Sequence, residues 1–217
     1  MQESSYPTPP ASGRPALDVA VVMRREPVTG PMARWQPWRW VLADVLPTGE
    51  PRWLPASAPQ PVAAAPVEVQ PLPGAPEVAG ARYWLYEGLH VTLYRDDAEG
   101  LYLNLESPQP CFWVFWRADE EQLLDDEPMA VPQIATLSYH DAGRWLDAQE
   151  RVDQVPAPPA VVEWLRAFVA EHHQIEPKRR KRPESFKPLT DRFGQPVRIS
   201  TQKFQRGPGS SGGGHGG

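Results

Sequence analysis

Several residue types and patterns that mark common protein classes are scarce in this sequence. It contains one cysteine, Cys111, so no disulfide can form within the chain. Its apolar runs are short: residues 16–23 are interrupted by Asp18, and none approaches the roughly 18 apolar residues of a membrane span. We therefore expect no membrane span, no secretory leader and a cytoplasmic location. Cys111 opens an apolar run, residues 111–116, in which a thiol is expected to be buried and unreactive.

Lysine is absent from the first 177 residues, and positive charge is concentrated after them. Ten basic and two acidic residues follow position 177, so this tail carries a net charge of +8 while residues 1–177 carry −13. Clustered cations attract acidic partners over long range. We expect the tail to contact an acidic protein partner or the acidic body of its own chain, or to act only as a solubilising segment. Nucleic acid is disfavoured because the acidic body repels phosphates. The basic residues at the start of the tail are Lys178, Arg179, Arg180, Lys181 and Arg182.

Metal-binding and catalytic patterns are also missing. The five histidines show neither paired ligand spacing nor cysteine partners, which disfavours a zinc site. Ser138, His140 and Asp141 are too close together in sequence to face one another as a catalytic triad. The acidic residues between positions 119 and 127 are interpreted as a solvated surface rather than a cation site. We therefore predict no catalytic residue, no metal and no cofactor.

Proline is abundant, with 28 residues in a chain of 217. Because proline removes a backbone donor and fixes φ, residues 47–81 are predicted to be an insertion without regular structure. The insertion interrupts a single domain predicted over residues 17–177. Residues 1–16, and the basic then glycine-rich tail over residues 178–217, are predicted to be disordered because they are poor in apolar groups.

Alternation of apolar and polar residues predicts a mainly antiparallel sheet. Residues 89–94 and 101–105 alternate on either side of an acidic connection that ends at Gly100, which predicts a β-hairpin. Residues 111–116 are apolar without interruption, as in a central strand covered on both faces. Further strands are predicted over residues 17–24, 38–46, 82–86 and 133–139.

The last third of the predicted domain has a helical pattern. Asp141 is a candidate N-cap for a short helix. Pro158 and Pro159 suit the start of a longer helix that ends at Pro177 and carries large apolar residues along one side. The expected fold class is therefore α+β: a mainly antiparallel sheet, either open or closed into a barrel, that is packed by the C-terminal helices.

Residues 34–40 alternate tryptophan with arginine, in the order Arg-Trp-Gln-Pro-Trp-Arg-Trp. The first two tryptophans, Trp35 and Trp38, lie at the start of the predicted strand or before it, in polar, proline-containing sequence. The sequence therefore allows these two side chains either to pack into the core or to be exposed on the surface. Exposed aromatic rings and arginines are enriched at the centres of protein interfaces. We therefore predict contact surfaces here and at a second Arg-Trp pair further along the chain. The predicted residues are Trp35, Trp38 and Arg39 for the first surface, and Arg144 and Trp145 for the second.

Short motifs along the chain are jointly more specific than any one of them. They lie at residues 21–25 (VVMRR), 35–40 (WQPWRW), 94–97 (YRDD), 103–105 (LNL), 107–110 (SPQP), 142–147 (AGRWLD), 152–156 (VDQVP) and 178–182 (KRRKR). Their order resembles a small uncharacterised proteobacterial family whose genes commonly neighbour those for molybdenum-dependent formate dehydrogenase. The resemblance covers residues 17–46 and 82–182. It implies a non-catalytic accessory role in assembly or maturation of that enzyme, with an enzyme subunit or a fellow accessory protein as partner.

Members of that family are sometimes labelled molybdopterin-guanine dinucleotide biosynthesis proteins. An enzyme that transfers a nucleotide is expected to carry a glycine-rich phosphate-binding loop after its first strand, whereas residues 27–31 (PVTGP) offer few free amide donors. The family has no established catalytic residues, so none is carried over. The alternative hypothesis is a protein or enzyme that binds molybdopterin or a guanine nucleotide, with arginine forks on phosphate and tryptophan on the ring system. The arginines concerned are Arg24, Arg25, Arg34 and Arg39.

Overall fold

Two antiparallel β-sheets dominate the fold. We analysed a computed structural model, which describes residues 13–55, 57–71, 73–74 and 78–173. The strands of the first sheet are β1 (Gly13–Pro27), β2 (Trp38–Pro47), β3 (Arg52–Pro55), β4 (Val67–Val69) and β5 (Arg82–Thr92). Their order is β2–β1–β5–β4, and β3 pairs with the start of β1 beyond the end of β2. All these pairs are antiparallel, so β1 is the central strand of this sheet.

The second sheet has three strands and is also antiparallel. They are β6 (Cys111–Leu124), β7 (Glu127–Thr136) and β8 (Arg151–Pro156), in the order β7–β6–β8. Residues 111–116 of β6 are all buried, which confirms the prediction of a central strand. Asp125 and Asp126 both have positive φ in the turn between β6 and β7, as in the two-residue turns that suit tight hairpins. Within the described residues neither sheet closes into a barrel.

The structure contains three α-helices in the described part of the chain. They are α1 (Ala98–Leu105), α2 (Tyr139–Asp147) and α3 (Pro159–His172). Helix α3 begins with a proline, as predicted, and its buried residues recur at helical spacing. The predicted end at Pro177 lies outside the described residues. One apolar cluster contains residues from both sheets and from two helices, including Val19, Phe112, Leu101 and Leu165, each at most 2% exposed.

The predicted hairpin between residues 89–94 and 101–105 is wrong, because its second arm is helix α1. In that helix Leu101 and Asn104 are buried, whereas Leu103 is 37% exposed. Residues three apart share one face of a helix, while alternate residues would share one face of a strand. The burial pattern therefore has the helical period, and the alternating leucines gave a misleading strand signal.

The insertion predicted to lack regular structure, residues 47–81, contains strands β3 and β4. The backbone N–H of Ala64, in the same segment, donates a hydrogen bond to the carbonyl oxygen of Glu87 in β5 at 2.7 Å. Arg52 forms two hydrogen bonds of 2.7 Å with Asp18 of β1. The segment is thus fastened to the first sheet at several points, because two short stretches of it pair with β1 and β5.

Element boundaries differ from the predictions at four further places. One is β5, which runs without a break through the two strands predicted over residues 82–86 and 89–94 and ends at Thr92. Strand β1 begins at Gly13, so its first residues lie in a segment predicted to be disordered. The predicted strand over residues 133–139 is shifted, because β7 ends at Thr136 and a helix follows. The N-cap of that helix is Ser138, whose hydroxyl accepts a hydrogen bond from the backbone N–H of Asp141, rather than Asp141 itself. Strand β8 was not predicted.

Gly88 marks an irregularity in the pairing of β1 with β5 and gives a first testable prediction. Its φ is +87°, and an added Cβ would lie 2.8 Å from the carbonyl oxygen of Val62. Substitution Gly88→Ala is therefore expected to lower the free energy of unfolding by about 2 kcal/mol, because it combines a strained φ with a backbone clash. Urea denaturation followed by tryptophan fluorescence measures this loss. The control Gly49→Ala, which meets no atom within 4 Å, should leave stability nearly unchanged.

A candidate interaction surface at a hairpin tip

The connection between β1 and β2 folds into a hydrogen-bonded tip. The backbone N–H of Val28 donates to the carbonyl oxygen of Pro37 at 2.8 Å, which closes the base of the connection. A short 3₁₀ helix, Pro31–Arg34, follows Gly30, whose positive φ favours glycine. The amides of Trp35 and Gln36 both donate to the carbonyl oxygen of Met32, at 2.9 and 3.0 Å. Prolines and backbone hydrogen bonds therefore hold this tip in one conformation.

The tip presents two large apolar side chains to solvent, Met32 at 60% exposure and Trp35 at 73%. Trp35 is the residue after the 3₁₀ helix, and its amide bond to Met32 continues the three-residue pattern of that helix. Residues three apart in this pattern lie above one another, so these two side chains occupy the same side of the tip. We call them the tip pair. The Arg34 guanidinium lies 5.0 Å from the centre of the Trp35 ring. An exposed tryptophan on a preformed scaffold has the chemistry and low ordering cost of an interface hot spot.

Trp38 and Arg39, predicted to belong to the same surface as Trp35, are engaged within the molecule. The guanidinium of Arg25 lies 4.6 Å from the centre of the Trp38 ring, and Trp38 is partly buried. Arg39 donates a 2.7 Å hydrogen bond to the buried carboxylate of Glu26, although its own side chain remains 59% exposed. Trp35 is therefore available to a partner, whereas Trp38 and Arg39 make contacts within the molecule.

The arginines considered for phosphate binding are largely neutralised by neighbouring carboxylates. Glu26 pairs with Arg24 as well as with Arg39. Arg25 is only 3% exposed, and its guanidinium forms ion pairs with the carboxylates of Asp125 at 2.6 Å and Glu127 at 2.9 Å. These contacts tie β1 to the turn between β6 and β7. Together, these ion pairs give three of the four arginines a carboxylate partner at the position where a ligand phosphate would have to bind. The three are Arg24, Arg25 and Arg39.

Helix α2 carries the second predicted surface, but other residues provide its exposed apolar area. Arg144 forms an ion pair with Asp141 one turn earlier, and its side chain is 70% exposed. Trp145 is partly buried, with its ring centre 5.6 Å from that of Phe115. The exposed large apolar residues of this helix are Tyr139 and Leu146, at 54% and 56%. Their positions seven apart, two helical turns, place them on one face and could have been found by helical periodicity.

A groove of about 400 Å³ lies beside this helix, between the outer strands β2 and β8. We call it the edge groove. The backbone N–H of Leu42 donates to a carboxylate oxygen of Asp153 at 3.1 Å, so this side chain joins the two strands. The indole N–H of Trp116 donates to the same oxygen at 3.1 Å. The groove is lined by Val41, Leu42, Trp113, Leu146, Val152, Asp153 and Gln154.

A more polar pocket of about 320 Å³ contains a histidine paired with an aspartate. His140 Nδ1 lies 3.1 Å from Asp97 Oδ1. Ser138, which could have supplied a nucleophile, is 2% exposed and its hydroxyl caps helix α2. Burial also raises the pKa of the Cys111 thiol to about 11, so the thiolate form is suppressed at neutral pH. The described part of the chain contains no group of three or more potential ligand side chains that could hold a metal ion.

Two further predictions concern the basic tail and the membrane span. Residues 178–182 of the basic tail lie outside the described residues. None of the helices in the described ranges is long and apolar enough to cross a membrane.

These features define an α+β protein of two antiparallel sheets that carries a preformed, exposed aromatic tip. The chain belongs to the family of proteins of unknown function DUF3305, whose family model matches residues 18–182. No curated protein and no solved structure matches the chain.

Proposed function

We propose that this chain is a non-catalytic accessory protein that acts in the cytoplasm during assembly or maturation of a molybdenum-dependent formate dehydrogenase. It contacts a subunit of that enzyme, or a fellow accessory protein, through the tip pair of Met32 and Trp35. The identity of the enzyme rests on the resemblance of the short sequence motifs to the family whose genes neighbour formate dehydrogenase genes. The proposal that the protein acts by binding another protein rests on the exposed tip pair.

The observation that carries the proposal is the 73% exposure of Trp35 on a hydrogen-bonded tip. A tryptophan that packed for stability alone would bury about 150–250 Å² of its surface. Here 73% of the Trp35 surface remains available, and the tip needs little further ordering before it binds. Ordering costs commonly consume much of the gross interaction energy, so a preformed tip favours binding to another protein.

A pterin-binding or nucleotide-binding function is the less supported alternative. It would use arginine forks on phosphate, yet Arg25 is buried against two carboxylates and Arg39 is held by Glu26. Freeing either guanidinium would break charge-assisted hydrogen bonds before any new one formed. The pairing therefore favours a structural role for these arginines. We assign the basic tail a steering role toward an acidic partner surface, on its charge alone.

Affinity capture from cells that produce formate dehydrogenase tests the proposal. Tagged full-length protein is expected to retain enzyme subunits identified by mass spectrometry, and Trp35→Ala is expected to reduce their recovery about tenfold or more, as for a hot-spot tryptophan. Leu123→Ala is the control, because this residue is also a large apolar side chain, 56% exposed, but lies in β6 outside residues 28–37 of the tip. Its recovery should match the unsubstituted protein.

Two results would count against the proposal in different ways. If the unsubstituted protein retained no formate dehydrogenase subunit, the assembly role would lose its support. If Trp35→Ala and Leu123→Ala retained equal amounts of subunit, the enzyme would remain the partner but the tip would not be the contact surface.

A further inference from the structure

The edge groove joins two sheets at strands that, among the residues the structure describes, each lack a neighbour on one side. Strand β2 is the outermost strand of its sheet and β8 is an outermost strand of the other. Leu42 donates its backbone N–H to the Asp153 side chain instead of to a strand partner. Between the strands lies the space of about 400 Å³, with Leu146 of α2, 56% exposed, on its rim. The groove is thus mainly apolar and open to solvent.

One carboxylate in this groove has no cation beside it. Asp153 is partly buried and accepts N–H bonds from Leu42 and Trp116 at the same oxygen, Oδ2. It forms no ion pair with any residue that the structure describes. A guanidinium that reached its second oxygen, Oδ1, would gain a charge-assisted hydrogen bond in partly desolvated surroundings. The groove therefore suits an apolar side chain accompanied by an arginine.

The hairpin tip has this combination of groups. Met32 and Trp35 supply apolar area, and Arg34, against the Trp35 ring, supplies the only charge in residues 28–37. Apolar surface thus faces apolar surface, and the single cation faces the uncompensated carboxylate of Asp153. Complementary charges of this kind favour one partner and one register over others.

The tip that enters the groove must come from a different molecule. Trp35 is 73% exposed in its own chain, so it does not occupy the groove there. The tip also continues directly into β2, and Val41 lies three strand residues beyond Trp38, about 10 Å along the strand. The rigid tip cannot fold back over that distance onto the strand it begins.

We propose that the edge groove receives the hairpin tip of a second copy of this chain. The contact involves few residues and falls in the class of small, transient interfaces. Standard-size interfaces bind in the micromolar range or more tightly, so we expect this smaller one to have a dissociation constant on the order of micromolar or weaker. Because self-association covers the tip pair, it competes with binding of the partner to the same residues. This regulatory consequence rests on the proposed function. A second copy would then cover the aromatic tip at high protein concentration, and the partner would replace that copy when it binds the tip.

Sedimentation velocity of the full chain tests the contact. The protein concentration is varied from about 5 to about 200 µM, the order of magnitude at which such weak contacts form. The unsubstituted protein is expected to sediment faster as its concentration rises. Both Trp35→Ala in the tip and Leu146→Glu at the rim of the groove should remain monomeric throughout, because each removes one side of the contact. Both side chains are largely exposed, so folding is preserved. The control Leu123→Ala should associate like the unsubstituted protein.

Photo-crosslinking locates the contact. A benzophenone amino acid in place of Gln36, the exposed neighbour of Trp35, is expected to give a cross-linked dimer whose cross-link maps to Val41, Leu42 or residues 146–154 of the other copy. An unsubstituted protein that stays monomeric at every concentration would overturn the inference. So would association that survives Leu146→Glu, or a cross-link that maps outside the groove. Capture of formate dehydrogenase is performed on dilute lysate, so its failure and the failure of self-association are separate results.

Discussion

Replacing Asn104 by alanine is expected to lower the free energy of unfolding by about 4 kcal/mol, the largest effect we predict for a single substitution. Asn104 is fully buried, and its amide nitrogen donates to the carbonyl oxygens of Cys111 and Leu137, each at 2.9 Å. Its amide oxygen accepts the backbone N–H of Cys111 at 3.0 Å. One side chain therefore satisfies three backbone groups and links α1 to the start of β6 and the end of β7.

Chemical denaturation measures this loss as a shift in midpoint with an unchanged slope. Leu103→Ala is the matched control, one residue earlier in the same helix and 37% exposed, and it should cost less than about 1 kcal/mol. Asn104→Asp gives a second readout, because its carboxylate would face two carbonyl oxygens that need donors. That arrangement raises the pKa of the introduced carboxyl group, so this variant should gain stability relative to the original protein as pH falls. Equal stability of Asn104→Ala and Leu103→Ala would contradict the linking role.

The double substitution Asp125→Asn with Glu127→Gln is expected to destabilise the protein by about 3 kcal/mol. It removes both carboxylates that pair with Arg25 and leaves a guanidinium that is only 3% exposed without a counter-charge. The substituted side chains are close in size to the originals, so the effect reports on charge. Each single substitution should cost less, because the remaining carboxylate still pairs with Arg25.

Asp126→Asn is the control for this prediction. Asp126 lies in the same turn, is exposed and has a positive φ of 64°, a conformation that asparagine tolerates. Its substitution should change the free energy of unfolding by less than about 0.5 kcal/mol. Thermal or urea unfolding compares the variants. A double variant as stable as Asp126→Asn would show that burial of Arg25 does not depend on these carboxylates.

Sequence patterns predicted the fold where the local pattern and the tertiary environment agreed. Residues 111–116 form a central strand because an unbroken apolar run can be covered on both faces. The prolines at the start of α3, together with the helical spacing of its apolar residues, likewise predicted that helix. In α1, by contrast, alternating leucines obscured the helical period, and the partners of Asn104 lie 7 and 33 residues away. A single sequence gives no signal for such contacts.

The candidate site was predictable only in part. The tryptophan-rich motif pointed to Trp35, but Met32 joins it through a 3₁₀ turn that the proline-rich sequence did not reveal. Trp38 is partly covered by Arg25, whose carboxylate partners lie about a hundred residues further along the chain. The edge groove draws its lining from four elements, so no local motif encodes it. Local sequence therefore identified the aromatic cluster, and tertiary structure decided which member is exposed.

The affinity of the purified protein for purified formate dehydrogenase subunits, measured by isothermal titration calorimetry, tests the central claim most directly. We expect the unsubstituted protein to bind one subunit and Trp35→Ala to bind it about 30-fold more weakly, which corresponds to about 2 kcal/mol. Leu123→Ala should bind like the unsubstituted protein. Equal affinity of Trp35→Ala and the unsubstituted protein, or no binding to any subunit, would contradict the account.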